Sequence, residues 1–173
     1  NTYNRIKNLL LFNRLQKKEV LNSSKKKFNV CSPITQRRTK WCGVGNIAEN
    51  YNDLGSEWET DTCCRDHDNC PDFIVAGETK YNLTNDAYYS RLSCECDEEF
   101  RKCLRAAQQK SKSKAARNLG YIYFNGLSTK CFRNDYLVVR CIRKGGWLSE
   151  KCLDYEYDTS STKRYQWFDV RNF

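Results

Sequence analysis

The sequence predicts a small, disulfide-rich domain that is mainly α-helical with a small β part. Two observations support this fold class: cysteines recur at helical spacing in the middle of the chain, and strand-like runs follow near its end. The length of 173 residues allows one well-formed domain with an extension, but hardly two independent cores. Eleven cysteines indicate an oxidising compartment, where disulfides replace part of a hydrophobic core.

The first forty residues differ in charge from the rest of the chain. Residues 1–40 carry eleven Lys or Arg and one acid, a net charge of +10, whereas residues 41–173 have a net charge of −1. We interpret 1–40 as a basic arm and 41–173 as the folded domain. Arg37 and Arg38 offer a cleavage site, so the arm is either a propeptide or a basic tail that is retained. Binding of nucleic acid or heparin is a competing function for the arm alone, and no nucleic-acid partner is expected for the domain.

The domain opens with a glycine-bearing, turn-like stretch from Trp41 to Asn52. It begins with Trp41-Cys-Gly-Val-Gly45, whose Gly-x-Gly pattern can turn backbone carbonyls toward a cation.

Two helices follow, at about Thr60–Cys70 and about Ala87–Leu104. Each carries a stripe at i, i+4 and i+7: Cys63, His67 and Cys70 on the first, and Cys96, Phe100 and Cys103 on the second. Such stripes indicate two helices packed together. Residues 101–117 carry seven Lys or Arg and no acid, which we interpret as a solvated helix end and loop; beside an active-site mouth they would instead favour anionic interfaces.

The end of the chain predicts a β-hairpin. Its strands are the runs Tyr136–Arg140 and Cys152–Tyr157, with Gly145-Gly146 between them. A bridge from Cys141 to Cys152 would lie beside the turn. The tryptophans at 58, 147 and 167 are interpreted as packing residues rather than membrane anchors.

The candidate catalytic and metal-binding residues lie near His67, which is the only histidine of the chain. Asp68 follows it directly, and Cys94-Glu-Cys-Asp97 adds a further carboxylate. The carboxylates and the glycine loop are hard oxygen donors that suit Ca²⁺. Zinc is the competing interpretation, because Cys and His at short spacings are its usual ligands, but the cysteines can pair with one another.

These motifs together resemble the group III, bee-venom-type, secreted phospholipase A2 family. The resemblance rests on W-C-G-x-G, C-C-R-x-H-D-x-C and C-x-C-D in this order, and it extends to Tyr121-Ile-Tyr-Phe124 and Tyr165-Gln-Trp-Phe-Asp169. It covers essentially all of residues 41–173. It implies a fold of two antiparallel, disulfide-linked helices, a calcium-binding loop and C-terminal β-hairpins.

The resemblance also implies the disulfide pairing. The implied pairs are Cys42–Cys64, Cys63–Cys103, Cys70–Cys96, Cys94–Cys131 and Cys141–Cys152. The second and third pairs share one antiparallel helix register, and that register brings Asp97 within reach of His67. Cys31 is left over, and a disulfide-linked partner is one use for it.

The implied activity is hydrolysis of the sn-2 ester of glycerophospholipids by water at a lipid surface, with His67 as general base. Asp97 would orient His67, and Tyr123 would support this pair or the substrate phosphate, with Tyr121 as the competing tyrosine. Asp68 and the backbone carbonyls of Trp41, Gly43 and Gly45 would hold Ca²⁺.

The expected setting is extracellular, with a phospholipid membrane surface as the peripheral partner and the phospholipid as substrate. The sequons at Asn22 and Asn82 fit a secreted glycoprotein. A non-catalytic toxin that binds a receptor or channel through the same scaffold is the alternative function.

Overall fold

The computed structural model describes residues 38–43, 46–146 and 150–173. Its helices and strands are α1 (Trp58–Asp68), β1 (Phe73–Ile74), β2 (Thr79–Lys80), β3 (Leu83–Thr84), β4 (Arg91–Leu92), α2 (Cys94–Ser111), α3 (Lys114–Gly120), a π-helical segment (Tyr121–Gly126), β5 (Lys130–Asp135), β6 (Leu137–Gly145), β7 (Lys151–Asp158) and β8 (Arg164–Asp169). The predictions that concern Asn22, Cys31, Gly45, Trp147 and most of the arm lie outside the described residues.

Disulfides join α1 to α2 in one antiparallel register. Cys63 pairs with Cys103 and Cys70 pairs with Cys96, so the end of one helix lies beside the beginning of the other. The pairs Cys42–Cys64, Cys94–Cys131 and Cys141–Cys152 complete the set in the described part of the chain. All five implied pairs are therefore confirmed, as is the mainly α-helical middle of the domain.

The second helix begins at Cys94, and the predicted start near Ala87 is wrong. Ser93 caps the helix, because its hydroxyl accepts a hydrogen bond from the Cys96 amide at 3.3 Å. Just before this cap, Arg91–Leu92 forms a short antiparallel pair with Phe73–Ile74. This pairing with a distant segment fixes the extended conformation of residues that local spacing alone assigns to the helix.

Residues 101–117 are almost entirely helical, which corrects the prediction of a helix end followed by a loop. α2 runs to Ser111, Lys112 takes a left-handed conformation with φ 54°, and Ser113 caps α3 through the Ala116 amide. Most of the basic residues in this run are exposed, but Arg101 is buried and pairs with Glu98. The basic run therefore covers the outer faces of two helices.

The β part consists of four two-stranded antiparallel sheets in the described part of the chain. β6 and β7 form the predicted hairpin, longer than the runs that predicted it, and β5 pairs with β8. The core lies between α1, α2, α3 and the β5–β8 pair, with Leu104, Leu119, Phe124 and Phe168 almost completely buried. No helix in the described residues is both long and apolar enough to cross a membrane.

Trp58 and Asn82 are both surface residues. Trp58 at the start of α1 is 56% exposed, so its interpretation as a packing residue is wrong. Asn82 lies with Tyr81 in the tight turn between β2 and β3, where both residues have positive φ angles. The side chain of Asn82 is exposed, which leaves this sequon accessible.

The Cys141–Cys152 bridge allows a test of stability, because it links β6 and β7, which form a hairpin away from the pair of helices. We expect the Cys141→Ala, Cys152→Ala double variant to lose about 2–3 kcal/mol in free energy of unfolding, since its closed loop is short. The helical circular-dichroism signal of the folded variant should be unchanged. Denaturant unfolding of the oxidised protein measures the loss, and a collapse of the helical signal would contradict this separation of hairpin and helices.

Candidate active site

His67, Asp97 and Tyr123 meet in the interior between α1, α2 and the π-helical segment. His67 Nε2 lies 2.9 Å from Asp97 Oδ1, and the Tyr123 hydroxyl donates to the same carboxylate oxygen at 2.8 Å. The Tyr123 oxygen is also 3.4 Å from His67 Nε2. All three predicted side chains thus lie in one hydrogen-bonded cluster.

The position of the cluster follows from the ends of the two linked helices. His67 is in the last turn of α1 and Asp97 is in the first turn of α2, where the positive end of the helix dipole favours a carboxylate. Phe100, one turn after Asp97, stacks on the imidazole with ring centroids 4.2 Å apart. The ring of Tyr123 meets the imidazole edge-on at 5.2 Å. The imidazole is therefore held at Nε2 by Asp97, on one face by Phe100 and by an edge contact with Tyr123.

Tyr123 is fixed as a hydrogen-bond donor by its surroundings. Burial raises the pKa of Tyr123 well above its usual value, and the Asp97 carboxylate and then Asp68 add to the shift. The phenol consequently keeps its proton over the physiological pH range. Tyr121 is in a different environment from Tyr123, because its side chain is 45% exposed and its ring packs against Phe173.

The loop before α1 lies near Asp68 because of a disulfide. Cys42 is bonded to Cys64 with Cα atoms 5.2 Å apart, and Asp68 follows Cys64 by four residues on the same helix face. About one helical turn, or 5–6 Å of rise, therefore separates Asp68 from Cys64, the residue to which the loop is bonded. The bridge therefore ties the loop that carries Trp41 and Gly43 to α1 about one turn before Asp68, while Gly45 is outside the described residues.

Two backbone carbonyls of this loop accept hydrogen bonds within the loop region. Lys40 O accepts from the Ile47 amide at 2.8 Å and Cys42 O accepts from the Thr39 hydroxyl at 3.4 Å. A carboxylate with backbone carbonyls is the donor set that Ca²⁺ prefers, so the residues present fit this ion.

A side-chain metal cluster is not part of the described structure. Residues 38–43, 46–146 and 150–173 contain no group of three or more His, Cys, Asp or Glu side chains that could hold a metal ion. The cysteines on both sides of His67 are oxidised in disulfides, so they offer no thiolate to zinc. The zinc interpretation is thereby removed for these residues.

Asp61 is a residue of the site region that the sequence analysis missed. Its side chain is fully buried and accepts hydrogen bonds from the backbone amides of Lys40, Trp41 and Gly55 at 2.9, 2.7 and 2.8 Å. One signal could have found it, since Asp61 precedes Cys64 by three residues and so stands on the buried face of α1. An acidic residue on such a face requires partners.

Lys151 is the second residue that was missed. Its ammonium is buried and donates to the Phe124 carbonyl and, at 3.3 Å, to the Val170 carbonyl. Burial lowers the pKa of Lys151, although the charges of Asp169 and Asp97 oppose this shift. Lys151 therefore ties the start of β7 to the residue that follows Tyr123. No local pattern marks it, because a lysine beside a cysteine is unremarkable in a sequence.

A family model described as phospholipase A2 matches residues 35–135 of the chain. This range contains every predicted site residue.

Several relatives match over most of the chain. The chain is 53% identical over 132 residues to a phospholipase A2 of Xylocopa aruana, which covers 76% of the chain and 69% of the relative. It is 51% identical over 135 residues to a phospholipase A2 of Bombus pensylvanicus, covering 78% of the chain and 96% of the relative. A phospholipase A2 large subunit of Chersonesometrus fulvipes is 48% identical over 94 residues, which is 54% of the chain and 90% of the relative.

The two neighbouring tyrosines provide a matched test of the cluster. We expect Tyr123→Phe to lower the free energy of unfolding by about 1.5–3 kcal/mol, because it removes a donor from a buried carboxylate. Tyr121→Phe should change it by less than about 0.5 kcal/mol, as is usual for exposed positions. Urea unfolding of the disulfide-intact variants measures both values. Equal losses would show that the Tyr123 hydroxyl bond contributes nothing.

Proposed function

Because the chain belongs to the group III phospholipase A2 family and is an enzyme of that class, we propose that it hydrolyses the sn-2 acyl ester of glycerophospholipids with calcium dependence. The products are a fatty acid and a lysophospholipid. The observation that supports this proposal most is the contact between His67 Nε2 and Asp97 Oδ1 at 2.9 Å, backed by Tyr123. This contact gives the imidazole the orientation that a general base needs.

His67 is the base in the proposed reaction. With Nε2 engaged by Asp97, the proton of the neutral ring resides on Nε2, and Nδ1 is the nitrogen that accepts a proton from the attacking water. Asp97 then stabilises the imidazolium that forms, and Tyr123 keeps the carboxylate in place. The same proton returns from Nδ1 to the leaving alcohol as the ester C–O bond breaks.

Water is the nucleophile in this proposal, and the cysteines of the domain support that choice. All ten cysteines of the described residues are in disulfides, so none can attack the ester. The hydrogen-bond partners of His67 among the described side chains are a carboxylate and a phenol, not a serine hydroxyl. A direct attack by water therefore fits the residues around the imidazole.

Asp68 and the carbonyls of Trp41, Gly43 and Gly45 are the proposed ligands of Ca²⁺. When bound, calcium supplies a Lewis acid that polarises the ester carbonyl and favours the developing negative charge on its oxygen. The task of the chain is to hold the hard oxygen donors beside His67. The Cys42–Cys64 bridge supports this role, because it fixes the loop one turn from Asp68.

A lipid surface is the proposed setting of the reaction. Large apolar side chains are exposed around the loop and the start of α1: Ile47, Tyr51 and Trp58 are each more than half exposed. Exposed aromatic and aliphatic side chains of this kind can enter the headgroup region of a membrane without crossing it. Five disulfides in the described domain support secretion, because such a frame is typical of extracellular proteins.

His67→Gln tests the proposed function directly. We expect hydrolysis of phospholipid vesicles in Ca²⁺ to fall by about 10²–10⁴-fold, because a positioned general base contributes about that much. A chelator should abolish the activity of the unaltered protein. Asp66→Asn is the matched control, since Asp66 is the neighbouring residue on α1, lies at the surface and pairs with Arg65.

Fatty acid release at the sn-2 position is the measurement, with the helical signal of each variant as the check on folding. Activity that persists after His67→Gln or in chelator would contradict the proposal.

A further inference from the structure

Asp61 is a buried carboxylate whose partners are backbone amides. Its Oδ1 accepts from the Trp41 amide at 2.7 Å, and its Oδ2 accepts from the Lys40 and Gly55 amides at 2.9 and 2.8 Å. Asp61 makes no ion pair with a lysine or arginine among residues 38–43, 46–146 and 150–173. Burying a carboxylate is costly unless hydrogen bonds compensate it, so these amides are essential partners of the charge.

The amides come from two loop segments that Asp61 holds together. Lys40 and Trp41 belong to the segment that ends in the proposed calcium ligands, whereas Gly55 belongs to the segment that leads into α1. The two segments approach so closely that a Cβ atom on Gly55 would lie 2.3 Å from the Arg38 carbonyl oxygen. Asp61 therefore binds the two segments at a point where their backbones are so close that position 55 has room only for glycine.

Trp41 is restrained from three sides. Its amide is bound to Asp61, its indole Nε1 donates to the Asp53 carbonyl at 3.0 Å, and the next residue is in the Cys42–Cys64 bridge. The indole itself is buried. These restraints fix the path of the backbone at Trp41 and Cys42, and with it the positions of the carbonyls on either side of Cys42.

Two α1 residues that hold this loop lie on the same helix face as the proposed ligand Asp68. Asp61, Cys64 and Asp68 stand at i, i+3 and i+7, which places them in one row along the helix. Asp61 is about 10 Å of helical rise from Asp68, so it is too distant to be a ligand of the same ion. Its influence on that ion has to pass through the loop.

We propose that Asp61 is a positioning residue that orders the Trp41–Gly43 carbonyls for Ca²⁺ before the ion arrives. This inference rests on the calcium dependence in the proposed function. Asp61→Asn replaces one acceptor oxygen by an amide group that meets N–H donors, so the loop loses part of its support. Calcium then has to order the loop itself, and its affinity falls.

The test is calorimetric titration of the full, oxidised chain with CaCl₂ in the absence of lipid. We expect Asp61→Asn to weaken calcium binding by about ten- to a hundredfold, which corresponds to the loss of one or two hydrogen bonds to a charged group. Asp66→Asn should bind within about twofold of the unaltered protein. It removes the same charge from the same helix, but its side chain is exposed.

Hydrogen exchange on the unaltered chain gives a second measurement that needs no variant. Without calcium, the amides of Lys40, Trp41 and Gly55 should already be protected, and adding CaCl₂ should change their exchange little. Unprotected exchange of these amides until calcium is added would overturn the inference, even if Asp61→Asn failed to fold.

The calorimetric outcomes separate the two proposals. Equal calcium affinity in the unaltered protein and Asp61→Asn would overturn the role of Asp61 and leave the proposed function intact. An unaltered protein that binds no calcium would overturn both. Weaker binding by Asp61→Asn and unchanged binding by Asp66→Asn supports the inference, provided that the Cys42–Cys64 bridge is found by peptide mapping.

Discussion

The register between α1 and α2 is the constraint on which the candidate site depends. Two disulfides set this register: Cys63–Cys103 and Cys70–Cys96 lie on either side of the contact between His67 and Asp97. Sliding one helix by a residue would turn its side chains by about 100°, which would remove Asp97 from the imidazole. A domain of this size has a limited core, so covalent bridges supply rigidity that packing alone would not.

A second set of restraints holds the loop that carries the proposed calcium ligands, and both sets meet on α1. Asp61 and Cys64 fasten the loop by hydrogen bonds and a disulfide, while His67, on the last turn, faces α2. The C-terminal strands contribute through Lys151, which binds the carbonyl of the residue after Tyr123. α1 thus fixes the relative positions of the proposed base, the carboxylate that binds it and the proposed calcium ligands.

The sequence predicted what depends on local spacing and missed what depends on backbone partners. His67 and the C-terminal hairpin belong to motifs that can be recognised in the chain itself, whereas the full set of cysteine pairs came from the resemblance to the phospholipase A2 family. Asp61 and Lys151 bind backbone groups that are distant in sequence. The position of Asp61 on the buried face of α1 marks it as a residue that needs partners, but side-chain spacing does not identify those partners. The predicted start of α2 near Ala87 is also wrong because of a distant partner. Arg91–Leu92 pairs with the strand Phe73–Ile74, and this pairing overrides the local helical pattern.

The tautomer of His67 is the most direct test of the account, because it reports which nitrogen is available to water. The chain contains one histidine, so a ¹⁵N–¹H correlation spectrum of the imidazole has a single set of signals and needs no assignment by mutation. In the neutral ring we expect the proton on Nε2, bound to Asp97, with Nδ1 unprotonated. A neutral ring that carries its proton on Nδ1 would contradict the account.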